Sequence, residues 1–175
     1  MTRDPLRDVR PLIGQVYAYV AYRIGVGPDA EDVTSDVFER ALRYRASYDP
    51  QKGVPLAWLI GIARRVLHDR HGLGAQSVGT DAEPPAEIDL GADLIISRLT
   101  LRQALEELDE RSRELVALRY GADLSSRDIG KLVDMTPNAV DVALHRTLGR
   151  LRTMLEEPVG PGRLETSAPG SYPKG

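Results

Sequence analysis

The stretch Leu124 to Arg152, LSSRDIGKLVDMTPNAVDVALHRTLGRLR, decides how the rest of the chain is read. Ser125 or Ser126 can cap a short helix with its hydroxyl. Gly130 is small enough for a second helix to cross close by, and Asp134 stands where a tight turn needs a residue tolerant of left-handed geometry. A second helix then opens with Thr136 as N-cap and Pro137 in its first turn. Met135, Val140 and Leu144 would fill the wedge between the two. This is the grammar of a helix-turn-helix, whose second helix enters the major groove and reads base edges from its N-terminal half. Two short amphipathic helices and a turn also occur in all-α proteins that never touch DNA, so the motif needs support from its surroundings. Arg146, Arg150 and Arg152 give some, lying along the second helix where phosphate contacts are made.

Working outward, the apolar period of three and four residues runs back through Leu115 and Leu118 to Leu99, Ala104, Leu105 and Leu108. It also continues to Leu148, Leu151 and Leu155, which marks out a four-helix unit over 98–157. Between 72 and 97 the period is lost to Gly72, Gly74, Gly79, Pro84, Pro85 and Gly91. There Asp81, Glu83, Glu87, Asp89 and Asp93 stand without a Lys or Arg, so the segment reads as a flexible acidic linker. The first 71 residues hold three more amphipathic stretches. One has Val9, Leu12, Ile13, Val16 and Val20; a second, expected to start at Asp29, has Val33, Val37, Phe38 and Ala41; a third runs from Leu56 to His71. Residues 158–175 are rich in Pro and Gly and are expected to be a disordered tail. The fold expected is therefore all-α: two small helical domains joined by an acidic linker, the second carrying the helix-turn-helix.

Composition adds exclusions. The chain has 175 residues and no cysteine, which removes thiol nucleophiles, disulfides and Cys-ligated zinc. Its 23 Lys plus Arg against 26 Asp plus Glu give a net charge of -3, without the basic excess of a free-standing nucleic-acid binder. The most apolar early run, Val16 to Tyr22, falls far short of the roughly 20 residues that span a bilayer, so a cytoplasmic protein without membrane insertion is expected. His68-Asp69-Arg70-His71 has no third ligand cluster nearby, so neither a metal site, a cofactor nor catalysis is expected.

With these residues in view, the chain resembles the extracytoplasmic-function sigma factors of bacterial RNA polymerase. One block is Ala30-Glu31-Asp32-Val33 with Phe38, Arg40 and Ala41, then Ala57-Trp58-Leu59 and Ile62-Ala63-Arg64 with Asp69. The other is Ala104-Leu105, Leu108, Arg111, Arg113-Glu114, Leu118-Arg119-Tyr120, Leu124-Ser125, Ile129 and Leu144-His145-Arg146. The resemblance implies that Asp32, Asp36, Phe38 and Arg40 lie on a helix that docks on the polymerase core, at the clamp of the largest subunit, with the flap of the second largest as a further contact. It implies that Arg64, Arg65, His68 and Arg70 meet the melted −10 strand, whose unpaired bases can be splayed out and read. Asn138, Asp141, Val142 and His145 would face the −35 major groove, with Arg146 and Arg150 toward phosphate. Phe38 and Trp58 have a plainer reading as core residues, and Trp58 is expected to pack rather than stack on a base. An anti-sigma factor is a further possible partner.

The chain departs from the family at Asp141, Val142 and Ala143, where basic or small polar residues are common. An Asp at a base edge accepts from cytosine N4 and a Val touches the thymine methyl, so an atypical −35 preference is expected. Ser35 and Pro55 also replace a common Gln and a common basic residue, and Pro55 restrains Val54. The acidic linker is either a solvated spacer or, as the resemblance implies, a chain that occupies the polymerase's basic RNA channel. The competing class is a free-standing helix-turn-helix regulator that binds duplex DNA without polymerase.

Overall fold

The computed structural model describes residues 4–72 and 100–156; the acidic linker and the Pro/Gly-rich tail lie outside the described residues. Helix α1, Val9–Ile24, buries Val16, Tyr19 and Val20 and closes at Gly25, whose N–H donates to the Ala21 carbonyl at 2.9 Å. Helix α2, Pro28–Arg43, starts one residue earlier than Asp29: Pro28 is its first helical residue and Gly27 its cap, with Asp29 and Glu31 in the positive first turn. Its buried stripe is Ala30, Val33, Thr34, Val37 and Ala41. The Thr34 hydroxyl satisfies itself by donating to the Ala30 carbonyl at 2.7 Å. A 3₁₀ turn, Arg45–Ser47, leads into a loop that Tyr48 ties by donating to the Gly53 carbonyl at 3.1 Å. Helix α3, Pro55–Gly72, then returns with Leu56, Leu59, Ile60, Ala63, Val66 and Leu67 buried.

The second unit opens with α4, described over 100–106. The Arg113 guanidinium caps its end, donating to the carbonyls of Leu105 at 3.0 Å, Glu106 at 2.6 Å and Leu108 at 3.1 Å. Helix α5, Glu110–Val116, is capped by Asp109, which accepts from the Ser112 N–H at 2.9 Å, and passes into a π-turn over Ala117–Gly121. Helices α6, Ser126–Val133, and α7, Pro137–Glu156, follow, and among the described residues all regular structure is helical.

The two units are packed together. Val16, Tyr19 and Val20 of α1, with the α2 and α3 stripes, share one core with Leu115, Leu118, Ala122, Leu124, Ile129, Val140 and Leu144. Gly121 permits the contact: a Cβ there would lie 2.8 Å from the Tyr19 Cα and 3.0 Å from the Ala18 carbonyl oxygen. The π-turn opens the helix where this approach is made, a local departure that apolar periodicity does not register. A small second cluster joins Ala104, Leu108, Val116 and Leu151.

Candidate nucleic-acid interface

The helix-turn-helix is built as its sequence dictates. Ser125 caps α6, its hydroxyl accepting from the Asp128 N–H at 3.2 Å. Asp134 turns the chain at φ 54°, and a Cβ at Gly130 would collide with the Met135 carbonyl oxygen, so the turn needs a glycine there. Thr136 caps α7 by accepting from the Ala139 N–H at 3.2 Å. Val140 and Leu144 are buried and Met135 packs against them, so the opposite face of α7 is left outward. Asn138, Asp141, Val142, His145, Arg146 and Arg150 are all exposed on that outward side.

Two of these have internal partners that sequence reasoning did not supply. Asp141 Oδ1 accepts from the Ser126 hydroxyl and from Arg119 Nη2, the latter at 3.2 Å. Arg119 is itself held at its other nitrogen by the Leu124 carbonyl, at 2.9 Å. Arg150 Nη1 lies 3.1 Å from Asp109 Oδ2, which ties α7 to the cap of α5. The Ser112 backbone N–H, then the Ser112 hydroxyl and Arg150, hold the Asp109 carboxyl well below the usual carboxylate range. No short motif announces either pairing, because Asp109 and Arg150 are 41 positions apart and Ser126 and Asp141 are 15 apart.

The structure divides the residues of α3. Arg65 and His68 are exposed. Arg70 Nη2 instead pairs with Asp36 Oδ2 at 3.0 Å, and Arg40 Nη1 with Asp69 Oδ2 at 2.9 Å, so the candidate polymerase-docking helix and the candidate −10 helix brace one another. Asp32 stays exposed, whereas Phe38 is half-buried against the core. Arg64 faces the second unit: its Nε lies 3.0 Å from Glu114 Oε1 and its Nη1 donates to the Leu132 carbonyl. Glu114 is 12% exposed, and Tyr19 donates to the same carboxylate. Arg23 Nε lies 3.1 Å from Glu114 Oε2 but out of line for a hydrogen bond, while Arg23 Nη2 reaches Glu110. Burial opposes the Arg23 charge; Glu114 and the bond to Glu110 outweigh it and raise its pKa.

Between α3 and α6 lies a cleft of about 710 Å³, lined by Tyr44, Tyr48, Lys52, Trp58, Arg65 and Lys131 among others. Trp58 sits edge-on to Tyr48, ring centroids 5.6 Å apart, and packs at the margin of the core while lining this cleft. Aromatic faces beside cations are the furnishing that single-stranded nucleic acid uses.

A helix-turn-helix with an open polar recognition face, joined to a helical unit bearing this cleft, defines a DNA-reading transcription factor in two helical parts. The comparisons agree: Sigma-70 region 2 matches residues 9–72 and Sigma-70 region 4 matches residues 98–151. The chain is 30% identical over 165 residues to the ECF RNA polymerase sigma factor SigD of Mycobacterium tuberculosis, covering 86% of this chain and 74% of that one. It is also 30% identical over 172 residues to the ECF RNA polymerase sigma factor ShbA of Streptomyces griseus, covering 89% and 88%. The fold matches that of the sigma factor RpoE, solved in complex with the anti-sigma factor NepR from Bartonella quintana. That match has a TM-score of 0.65 and 19% identity, over 86% of this chain and 96% of that one. The chain belongs to the extracytoplasmic-function family of RNA polymerase sigma factors, the promoter-specificity subunits of transcription initiation. The free-standing regulator is not favoured. Among the described residues no helix is long and apolar enough to cross a membrane.

Proposed function

We propose that this chain docks on RNA polymerase core through the outer face of α2, at the clamp of the largest subunit, and directs initiation at promoters read in two places. Asp32 is the open contact on α2; Asp36 and Arg40 fix the helix against α3, and Phe38 anchors it to the core. Arg65 and His68, with Arg64 and Arg70, meet the melted −10 strand beside the aromatic cleft. Asn138, Asp141, Val142 and His145 read the −35 element, while Arg146 and Arg150 reach phosphate. The chain catalyses nothing itself and acts in the cytoplasm, where the polymerase works. An anti-sigma factor, the partner named in the solved RpoE complex, is a further candidate.

The observation that carries this reading is the outward face of α7, where every candidate −35 residue is exposed while Val140 and Leu144 hold the helix down. For Arg64 to reach a phosphate it must leave Glu114 and the Leu132 carbonyl, so promoter capture has to loosen the contact between the two units. Run-off transcription with purified core on genomic DNA tests the reading. Defined start sites that need both core and this chain support it. Duplex binding in a gel shift by the chain alone, with no core-dependent transcripts, overturns it in favour of the free-standing regulator.

A further inference from the structure

We infer that Arg119 and Ser126 are specificity-determining residues of the −35 reader: they position Asp141 so that its free oxygen accepts from a cytosine amino group. The inference rests on the proposed −35 reading of α7. Both donors converge on one oxygen, Oδ1. Asp141 is 59% exposed, and among the described residues no donor reaches its Oδ2. Arg119 is fixed at both ends of its fork, by the Leu124 carbonyl on Nη1 and by Ser126 and Asp141 on Nη2, so the carboxylate rests on a guanidinium that cannot swing away.

Two physical consequences follow. A bare carboxylate entering the major groove is repelled by the flanking phosphates; paired with Arg119 it enters as a neutral unit. An ionised carboxylate has acceptors only, and the cytosine N4 amino group is a donor on the major-groove edge, so a held Oδ2 selects cytosine over bases that offer an acceptor at the same place. Arg119 lies before α6, and its guanidinium is engaged by the Leu124 carbonyl, Ser126 and Asp141. It acts through Asp141, which makes it a positioning residue.

The test uses reconstituted holoenzyme on a promoter library randomised across the −35 element, with transcripts counted by sequencing. The wild type should favour cytosine at one position, on the order of tenfold over guanine and thymine, which offer an acceptor there. Asp141→Ala should flatten that position and no other. Arg119→Gln should flatten the same position and add nothing there to Asp141→Ala, while Arg119→Lys should restore part of the preference. Ser126→Ala, a mild change in the first turn of α6, should weaken the same preference and serves if Arg119→Gln does not fold. A wild-type profile with no cytosine preference, or an Asp141→Ala profile identical to wild type, overturns the base-reading role of Asp141 and the inference with it. A flattened Asp141→Ala profile beside unchanged Arg119→Gln and Ser126→Ala profiles overturns only the positioning role. Uniform loss at every position in Arg119→Gln, with Ser126→Ala unchanged, makes Arg119 a scaffold residue and overturns the inference as well.

Discussion

The Tyr19 phenol donates to the Glu114 carboxylate, 2.9 Å from Oε1 and 3.1 Å from Oε2, across 95 positions of sequence. That bond joins α1 of one unit to α5 of the other, and Arg64 reaches the same carboxylate from α3. Three elements thus meet at one half-buried acid, so its partners report on the contact between the units.

Tyr19→Phe should cost about 1.5–3 kcal/mol in urea unfolding, the range for a hydrogen bond to a charged group. Burial, and next the Glu114 charge, push the Tyr19 phenol well above its ordinary value. A raised folded-state pKa means stability that is complete below the unfolded value near 10 and is lost as pH climbs through the folded one. The wild type should therefore lose stability on the alkaline side, and Tyr19→Phe should flatten that limb. An unaltered alkaline limb would show that the phenol does not titrate with unfolding.

Gly121→Ala and Gly149→Ala should act in opposite directions. The first drives a methyl group into the Tyr19 backbone at 2.8 Å and should destabilise by about 1–3 kcal/mol. The second meets nothing within 4 Å on an exposed turn of α7 and should stabilise by roughly 0.5–1 kcal/mol through helix propensity. Equal effects of the same sign in thermal unfolding would contradict the close approach.

Asp109→Ala removes the cap of α5 and the partner of Arg150, and should cost about 1 kcal/mol. Because the folded-state pKa is depressed, this stability is present above the unfolded value near 3.9 and fades as pH falls through the folded one. Asp109→Asn should flatten the acid limb of a stability profile; a limb of wild-type steepness would locate acid sensitivity elsewhere.

Arg65→Ala and Arg64→Ala separate DNA contact from scaffold. Arg65 is exposed, so its loss should lower promoter opening about fivefold, equivalent to roughly 1 kcal/mol, with an unchanged unfolding midpoint. Arg64→Ala should lower the midpoint as well, because Glu114 loses a partner. Full promoter opening by Arg65→Ala would take Arg65 off the path of the strand.

The local grammar was legible from the residues alone. Ser125, Asp134, Thr136 and Pro137 act on backbone groups within a few residues, so the helix-turn-helix could be read without knowing what packs on it. The same holds for the apolar stripes that make the fold all-α, since each is a periodicity within one helix. The start of α2 was displaced from Asp29 because an acidic run marks the positive first turn, while Gly27 and Pro28 set the helix boundary itself. The electrostatics depend on how the helices pack. Arg64, Arg65, His68 and Arg70 lie close in sequence, yet Arg64 goes to Glu114, Arg70 to Asp36, and the other two face outward. Partners such as Tyr19 with Glu114 or Asp109 with Arg150 are chosen by how helices pack, and chain periodicity carries no record of which residue meets which across a shared core.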